Sequence, residues 1–94
     1  MSDAAVFAPE GALTMQTAPA LLVEGQRRAR AGDLVVDLAA VSSADSAALA
    51  LILDWMRCAR AAGHVLVLRN PPSGLASLAT LYDIDGLLPL EGSA

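Results

Sequence analysis

Short apolar runs alternate along the chain with longer stretches whose apolar residues recur at helical spacing. The runs LVVDL at 34–38 and HVLVLR at 64–69 are dominated by aliphatic residues, which predicts buried strands. The longer stretches begin with residues that commonly cap helices, and the first two stop at glycine. The predicted helices run from Thr17 to Gly32, from Ser46 to about Ala62, and from Ser73 to about Tyr82.

Two apolar segments near the ends of the chain complete the pattern. The first, AVFAPEGALTMQ at 5–16, contains the turn signal Pro-Glu-Gly and predicts a β-hairpin or a bent strand pair. The last, IDGLLPL at 84–90, predicts an edge strand because Pro89 would be unfavourable in a central one. The order β-β-α-β-α-β-α-β predicts one α/β domain over residues 1–94. Its mixed, mostly parallel sheet would have four to five strands, with about three helices packed on it.

The central helix carries apolar residues on two opposite sides. One side holds Leu49, Ile52, Leu53 and Met56, and the other holds Leu51, Trp55 and Cys58 with Ala47, Ala48 and Ala62. A small two-layer domain rarely has enough material to bury both stripes of one helix. We therefore expect the second stripe to be exposed as a binding patch, with Trp55 as an interface anchor. The alternative is that Trp55 packs against the first or third helix of its own domain.

The start of this helix offers a second candidate feature. Either Asp45 or Ser46 is suited to capping the first free backbone N–H groups, and a plain cap would explain one such residue. A phosphate is also tolerated at a helix amino terminus, where the dipole and free amides favour negative charge. Phosphorylation of Ser46 would place about two negative charges beside an apolar patch and would disrupt docking there.

Composition excludes several classes of protein. The longest uncharged stretch, Gly11–Val23, has 13 residues and contains Pro19, so no membrane span is expected. The amino terminus lacks the basic and apolar regions of a secretory signal. One cysteine and one histidine predict neither an internal disulfide nor a zinc site, and no cofactor is expected. These features favour the reducing cytoplasm.

The net charge of −4 argues against nucleic acid as the main partner, because phosphate binding requires a concentrated positive patch. Arg27, Arg28 and Arg30 are interpreted as the solvated face of the first helix.

A serine-nucleophile enzyme built from Asp45, Ser46 and His64 is disfavoured by distance. The base must lie within hydrogen-bond reach of the serine. His64 begins the strand beyond the far end of the same helix, which places it roughly 25 Å from Ser46 at 1.5 Å per residue. We expect no catalytic residues.

The segment LVVDLAAVSSADSAALALIL resembles the STAS domain of bacterial anti-sigma-factor antagonists. The family has a strand ending in Asp, then Asp-Ser or Asp-Thr, a small residue, Gly, and Leu at the start of a helix. The matching positions here are Asp37, Asp45, Ser46, Ala47, Ala48 and Leu49. Ala48 departs from the family pattern at the usual glycine, which slightly limits how closely a partner backbone could approach.

The later part of the chain is similar to the MlaB-like group of STAS proteins, the small cytoplasmic subunit of Mla-type phospholipid ABC transporters. The resemblance rests on the Leu-Ala-Leu helix and on Leu78, Ala79, Leu81 and Tyr82 in a late LA-x-LY helix. It implies a non-enzymatic protein that binds the transporter's cytoplasmic ATPase and is held by it at the inner membrane, without inserting directly. The implied partner-binding residues are Asp45, Ser46, Ala47, Ala48, Leu51 and Trp55.

A signalling function uses the same fold and the same face. In that alternative the chain is an anti-sigma-factor antagonist that binds a kinase-like anti-sigma factor and is switched off by phosphorylation of Ser46. A serine suits both functions, so its presence does not discriminate between them. The sequence also leaves open whether the free protein forms a homodimer.

Overall fold

The computed structural model describes residues 4–91, apart from the side chain of Asp85. The strands are β1 Ala5–Phe7, β2 Gly11–Leu13, β3 Leu34–Asp37, β4 Val41–Ala44 and β5 Leu66–Arg69. The helices are α1 Ala18–Ala31, α2 Ser46–Ala61 and α3 Ser73–Leu81, followed by a 3₁₀ turn at Asp85–Leu87. This arrangement of strands and helices confirms the predicted α/β fold class.

The strands form two parallel sheets that continue one another. β3 lies between β1 and β5 in the first sheet, and β2 pairs with β4 in the second. Only three residues separate β1 from β2, and only three separate β3 from β4. The 5–16 segment is therefore a bent strand pair, because its two halves pair with successive parts of the β3–β4 segment and not with each other.

Two strand predictions change in detail. β4 was not predicted, because its sequence VSSA contains two exposed serines and lacks an apolar run. The 84–90 segment was predicted as an edge strand, and within the described residues it contributes a single parallel bridge, between Leu68 and Leu90. The amide N–H of Leu68 donates to the Pro89 carbonyl at 2.8 Å, an interaction that does not need the missing proline N–H.

The core lies between the sheet and the helices. Phe7, Val36 and Leu68 form one row across the three strands and are buried. The next row, on the other face of the sheet, is Val6, Val35 and Val67. Val35 on the central strand is buried, whereas Val6 on the edge strand is 49% exposed, and neither belongs to the main core cluster.

The large side chains of both apolar stripes of α2 are buried or partly buried, which overturns the expectation that Trp55 is exposed. Trp55 has 0% exposure because α1 lies directly alongside α2. The Cβ of any side chain at Gly25 of α1 would lie 2.1 Å from the indole ring, so the missing side chain makes the space for it. The indole Nε1–H donates to the Leu22 carbonyl at 3.2 Å. The alternative in which Trp55 packs against the first helix is the correct one.

The helices α1 and α2 run side by side in the same direction. On their outer side the Gln26 amide donates to Asp54 at 2.6 Å, and the Arg30 guanidinium contacts the Cys58 sulfur at 3.7 Å. Both contacts join residues 28 positions apart in the sequence, so the two helices keep a constant register over this turn. We call this outer line between the two helices the α1–α2 seam, running from Ala18 and Ala47 to Arg30 and Ala61.

Candidate functional site

The start of α2 is capped by Asp45. Its carboxylate oxygen Oδ1 accepts a hydrogen bond from the Ala47 N–H at 2.8 Å, and its backbone is extended, as expected for a cap residue. Ser46 is therefore the first helical residue, and it is exposed. The choice between Asp45 and Ser46 as cap is decided in favour of the acid, which leaves the serine hydroxyl outside the capping interaction.

An open apolar groove of about 510 Å³ occupies the first half of the seam, next to Ser46. It is lined by Met15, Ala18, Pro19, Leu22, Ala47, Ala50, Leu51 and Asp54. Met15 is 76% exposed at one rim, and Leu51 is a buried residue at the base. Small residues on both helices create the groove, because alanine at 18, 47 and 50 leaves the space between the helices unfilled.

Asp54 is the only ionisable residue that lines this groove, and its charge is held in place. The Gln26 amide donates to one carboxylate oxygen at 2.6 Å, and the Arg57 guanidinium donates to the other. The hydrogen bond from Gln26, followed by that from Arg57, holds the pKa of Asp54 below its usual range against the opposing effect of burial. The hydrogen bond between Gln26 of α1 and Asp54 of α2 thus crosses the seam and forms the polar end of the groove. We call this hydrogen bond the polar crosspiece.

A family model described as "Mlab, STAS domain" matches residues 2–89. The chain belongs to the MlaB-like STAS domain family. Among solved structures, that of the anti-sigma factor antagonist SpoIIAA in its unphosphorylated form is similar, with a TM-score of 0.67 and 18% sequence identity. The similarity covers 95% of this chain and 78% of the SpoIIAA chain, and at that identity it establishes the STAS fold alone. No curated protein matched the sequence.

The predicted site residues of this STAS domain divide into two groups. Ala47 and Leu51 line the groove, the exposed Ser46 directly precedes Ala47, and Asp45 caps the start of the helix. Ala48 and Trp55 do not belong to the surface, since both have 0% exposure. They point towards α1 and the core because the second stripe of α2 is covered by α1. In this structure neither side chain is available to a partner, and direct contact of these two residues with a partner stays a prediction.

Sequence reasoning missed the half of the groove that α1 and the preceding turn supply. Met15 lies in the turn between β2 and α1, and Ala18, Pro19 and Leu22 follow on the first turns of the helix. A solvent-exposed methionine in a short connection was the available signal, but methionine is equally common in cores. Only the register between α1 and α2 brings these residues opposite Ala47 and Ala50.

Asp37 of the STAS motif is the last residue of β3 and makes hydrogen bonds at the carboxyl end of the three-stranded sheet. Its Oδ1 accepts hydrogen bonds from the Ala39 N–H at 3.0 Å and the Asn70 side-chain amide at 3.1 Å. These two bonds, with a smaller effect from the charge of Arg69, lower the pKa of Asp37. Asn70 has a φ of +55°, and the bond to Asp37 holds this left-handed residue in place after β5. The motif aspartate therefore joins the ends of β3 and β5.

Across residues 4–91, no group of three or more His, Cys, Asp and Glu side chains is arranged to hold a metal ion. None of its helices is both long and apolar enough to cross a bilayer. His64 lies near Asp33, with Nδ1 at 3.7 Å from the carboxylate, at the opposite end of α2 from Ser46.

Proposed function

We propose that this STAS domain is a non-enzymatic subunit that binds the cytoplasmic ATPase of an Mla-type phospholipid ABC transporter. The proposal rests on one observation above all: an apolar groove opens beside the exposed Ser46 in a chain of the MlaB-like family. Binding to the ATPase would hold the protein at the cytoplasmic side of the inner membrane and support the transporter that maintains lipid asymmetry.

The groove has the composition of a protein docking surface. Seven of its eight lining residues are apolar, and Met15 is mostly exposed to solvent. Fully burying a methionine side chain contributes about 1.5–3 kcal/mol. An exposed apolar surface with a polar rim is typical of an interaction site. Docking a partner over Met15 and Pro19 would recover this free energy.

The position of the groove in the fold supports the same function. Parallel α/β sheets bind their ligands at the carboxyl ends of the strands. The connections that leave β2 and β4 lead directly into α1 and α2, so the amino ends of both helices and the groove lie at that edge. Ser46 is exposed at the same edge, where a partner seated in the groove would contact it.

A non-enzymatic function agrees with the separation of the reactive side chains. Ser46 is the first of the 16 residues of α2 and His64 lies beyond its end, so the length of the helix, about 24 Å at 1.5 Å per residue, separates them. The Asp45 carboxylate, the nearest acid, is engaged by the Ala47 N–H. A serine without a base in reach is a poor nucleophile.

The anti-sigma-factor-antagonist function remains the second candidate. It is favoured by the exposed Ser46 hydroxyl at a helix amino terminus and by the likeness to SpoIIAA. In this function Ser46 is phosphorylated, and the added charge releases a kinase-like partner.

Affinity purification of the tagged chain from its native cell separates the two functions. Recovery of an ABC-type ATPase supports the transporter proposal, and recovery of a histidine-kinase-like ATPase contradicts it.

Binding of the purified ATPase then tests the groove itself. Ala50→Arg places a long charged side chain in the groove, and Ala76→Arg makes the same change at an exposed position of α3. We expect about a tenfold or larger loss of affinity for Ala50→Arg only, since a charge buried in an apolar contact is unfavourable. Equal affinity of the two folded variants would contradict docking in the groove.

A further inference from the structure

The α1–α2 seam continues beyond the apolar groove into a second depression, which two arginines line together with small residues. This depression has a volume of about 370 Å³ and is lined by Arg30, Arg57, Cys58, Ala61 and Ala62. The Gln26–Asp54 hydrogen bond separates it from the groove, and the Arg30–Cys58 contact crosses it. One surface line therefore runs from an apolar half, across a polar crosspiece, to a basic half.

Two of the chain's six arginines, Arg30 and Arg57, line this depression, whereas Arg27 and Arg28 bind Glu24 and Arg60 lines a different depression. The chain has a net charge of −4, yet five of its six arginines lie in the second halves of α1 and α2. These are Arg27, Arg28, Arg30, Arg57 and Arg60. Arg28, Arg30 and Arg60 lie in the last turns of their helices, where a cation complements the helix dipole.

The helix dipole does not explain the position of Arg57, because this residue lies before the last turn of α2. Its side chain is 77% exposed, although it donates to Asp54. Arg30 is also exposed, and its guanidinium donates to the Cys58 sulfur. Arg30 and Arg57 thus line one depression, and Asp54 pairs with Arg57. Two guanidinium groups beside one carboxylate leave a net positive charge, which favours an anionic partner group.

We propose that the seam accepts a single amphipathic helix of the partner ATPase, with its apolar residues in the groove and its carboxylates over Arg30 and Arg57. This inference rests on the proposed function and specifies the segment of the ATPase that would bind. From Ala47 to Ala61 the seam is about 21 Å long at 1.5 Å per residue, which matches about four helical turns of the partner. Two parallel helices with a groove between them offer a third helix a surface on which to pack.

The charge pattern fixes the direction in which this helix lies. In the reverse orientation its carboxylates would enter the apolar groove next to Asp54, where they would be desolvated and would face a like charge. In the proposed orientation they meet guanidinium groups at the exposed end of the seam. Apolar contacts supply most of the affinity, and the arginines supply orientation and salt dependence.

Charge reversal in the basic half tests the inference. The variant is Arg30→Glu with Arg57→Glu, and the matched control is Arg60→Glu, which lines a different depression. We expect the double variant to lose about tenfold or more in affinity for the purified ATPase, and to lose most of the salt dependence. The single Arg60→Glu variant should bind within about twofold of the unmodified protein. Circular dichroism and thermal melting establish that all three proteins fold.

A crosslink identifies the bound segment. Ala61→Cys in a Cys58→Ala background places one exposed thiol at the basic end of the seam, and a benzophenone attached there captures what lies opposite. We expect a helical ATPase peptide with carboxylates near the crosslink and apolar residues one to three turns away.

The outcomes separate this inference from the proposed function. If the unmodified protein does not bind the ATPase, the proposed function and the inference fail together. If it binds and the double variant binds equally well, or if the captured peptide lacks carboxylates, the inference alone is overturned. It is also overturned if the captured peptide comes from a second copy of this chain.

Discussion

The indole of Trp55 fills the space that a side chain at position 25 would occupy. A Cβ added to Gly25 would lie 2.1 Å from Cε2 of the ring, and the ring is completely buried. The Nε1–H donates to the carbonyl of Leu22, and the ring makes an edge-to-face contact with Phe7 at 5.7 Å between centroids. This fit sets the separation of α1 and α2, and with it the width of the groove on their outer side.

Gly25→Ala is expected to destabilise the protein by about 1–3 kcal/mol or more, because the added methyl group overlaps a rigid, buried ring. The measurement is the free energy of unfolding in urea. Gly74→Ala is the matched control, since a Cβ at this helical position meets nothing within 4 Å. The control should gain up to about 1 kcal/mol from the loss of glycine flexibility. Equal stability of the two variants would contradict the close contact between Gly25 and Trp55.

Trp55→Ala is expected to reduce stability by about 3–5 kcal/mol, the loss typical of a fully buried aromatic residue. The same tryptophan is the only one in the chain, so its fluorescence reports its environment directly. Emission should be blue-shifted in the folded protein and should move to longer wavelength on unfolding. Binding of the ATPase should leave the emission maximum nearly unchanged, because the ring is already buried; a large shift on binding would contradict the buried position.

Ser46→Glu is expected to preserve the fold and weaken binding of the ATPase. A negative charge in the first turn of α2 is favourable for the helix by about 0.3–1 kcal/mol, and no acidic residue occupies that turn now. The same charge directly precedes Ala47, which lines an apolar groove that already contains Asp54, so the affinity should fall by about tenfold. Titration of the ATPase measures the loss, with Ser77→Glu on the exposed side of α3 as the control. Undiminished binding by a folded Ser46→Glu variant would contradict the proposal that Ser46 contacts the ATPase.

Stability should fall in acid partly through Asp54. Its pKa is lowered in the folded protein, chiefly by the hydrogen bond from Gln26 and then by Arg57, so folding favours the carboxylate. A group with a depressed pKa stabilises the fold fully above its unfolded pKa of about 3.9, and the contribution disappears as the pH falls through the lower folded value. Asp54→Asn removes this contribution at neutral pH.

Urea unfolding of the unmodified protein and of Asp54→Asn should therefore show a difference in stability at pH 7 that shrinks below about pH 3.9. A difference that is constant with pH would mean that the hydrogen bonds to the carboxylate do not affect the folding equilibrium.

The fold was largely predictable because its elements have strong local patterns. The run of Leu34, Val35 and Val36 reads as a central strand, and all three residues are buried. The helix start at 46 follows from the capping residue Asp45, and the start at 18 follows from Pro19, since the Thr17 side chain makes no capping hydrogen bond. β4 was missed because Ser42 and Ser43 face solvent, and its pairing depends on β2, which is 28 or more residues earlier in the chain.

The groove was only half predictable, for a reason that lies in α1. The sequence shows that α2 has apolar residues on two sides. Whether the second side is buried or exposed depends on which residue of α1 faces Trp55. Gly25 is buried in α1, yet nothing in the local sequence pattern shows that its missing side chain admits an indole. The surface that remains apolar was therefore assigned to Trp55, when it belongs to Met15, Pro19 and Ala50.

The paired strands β2 and β4 have a consequence for the kinetics of binding. α1 and α2 begin immediately beyond them, and the Asp45 N–H donates to the Leu13 carbonyl at 3.2 Å, which ties the two helix starts together. The Thr17 hydroxyl, which donates to the Ala12 carbonyl at 2.8 Å, anchors the turn before α1 to the same strand. The walls of the groove are thus preorganised in the free protein, so a partner finds the cleft already open. Association should then proceed at the rate of rigid-body docking, without a slow opening step.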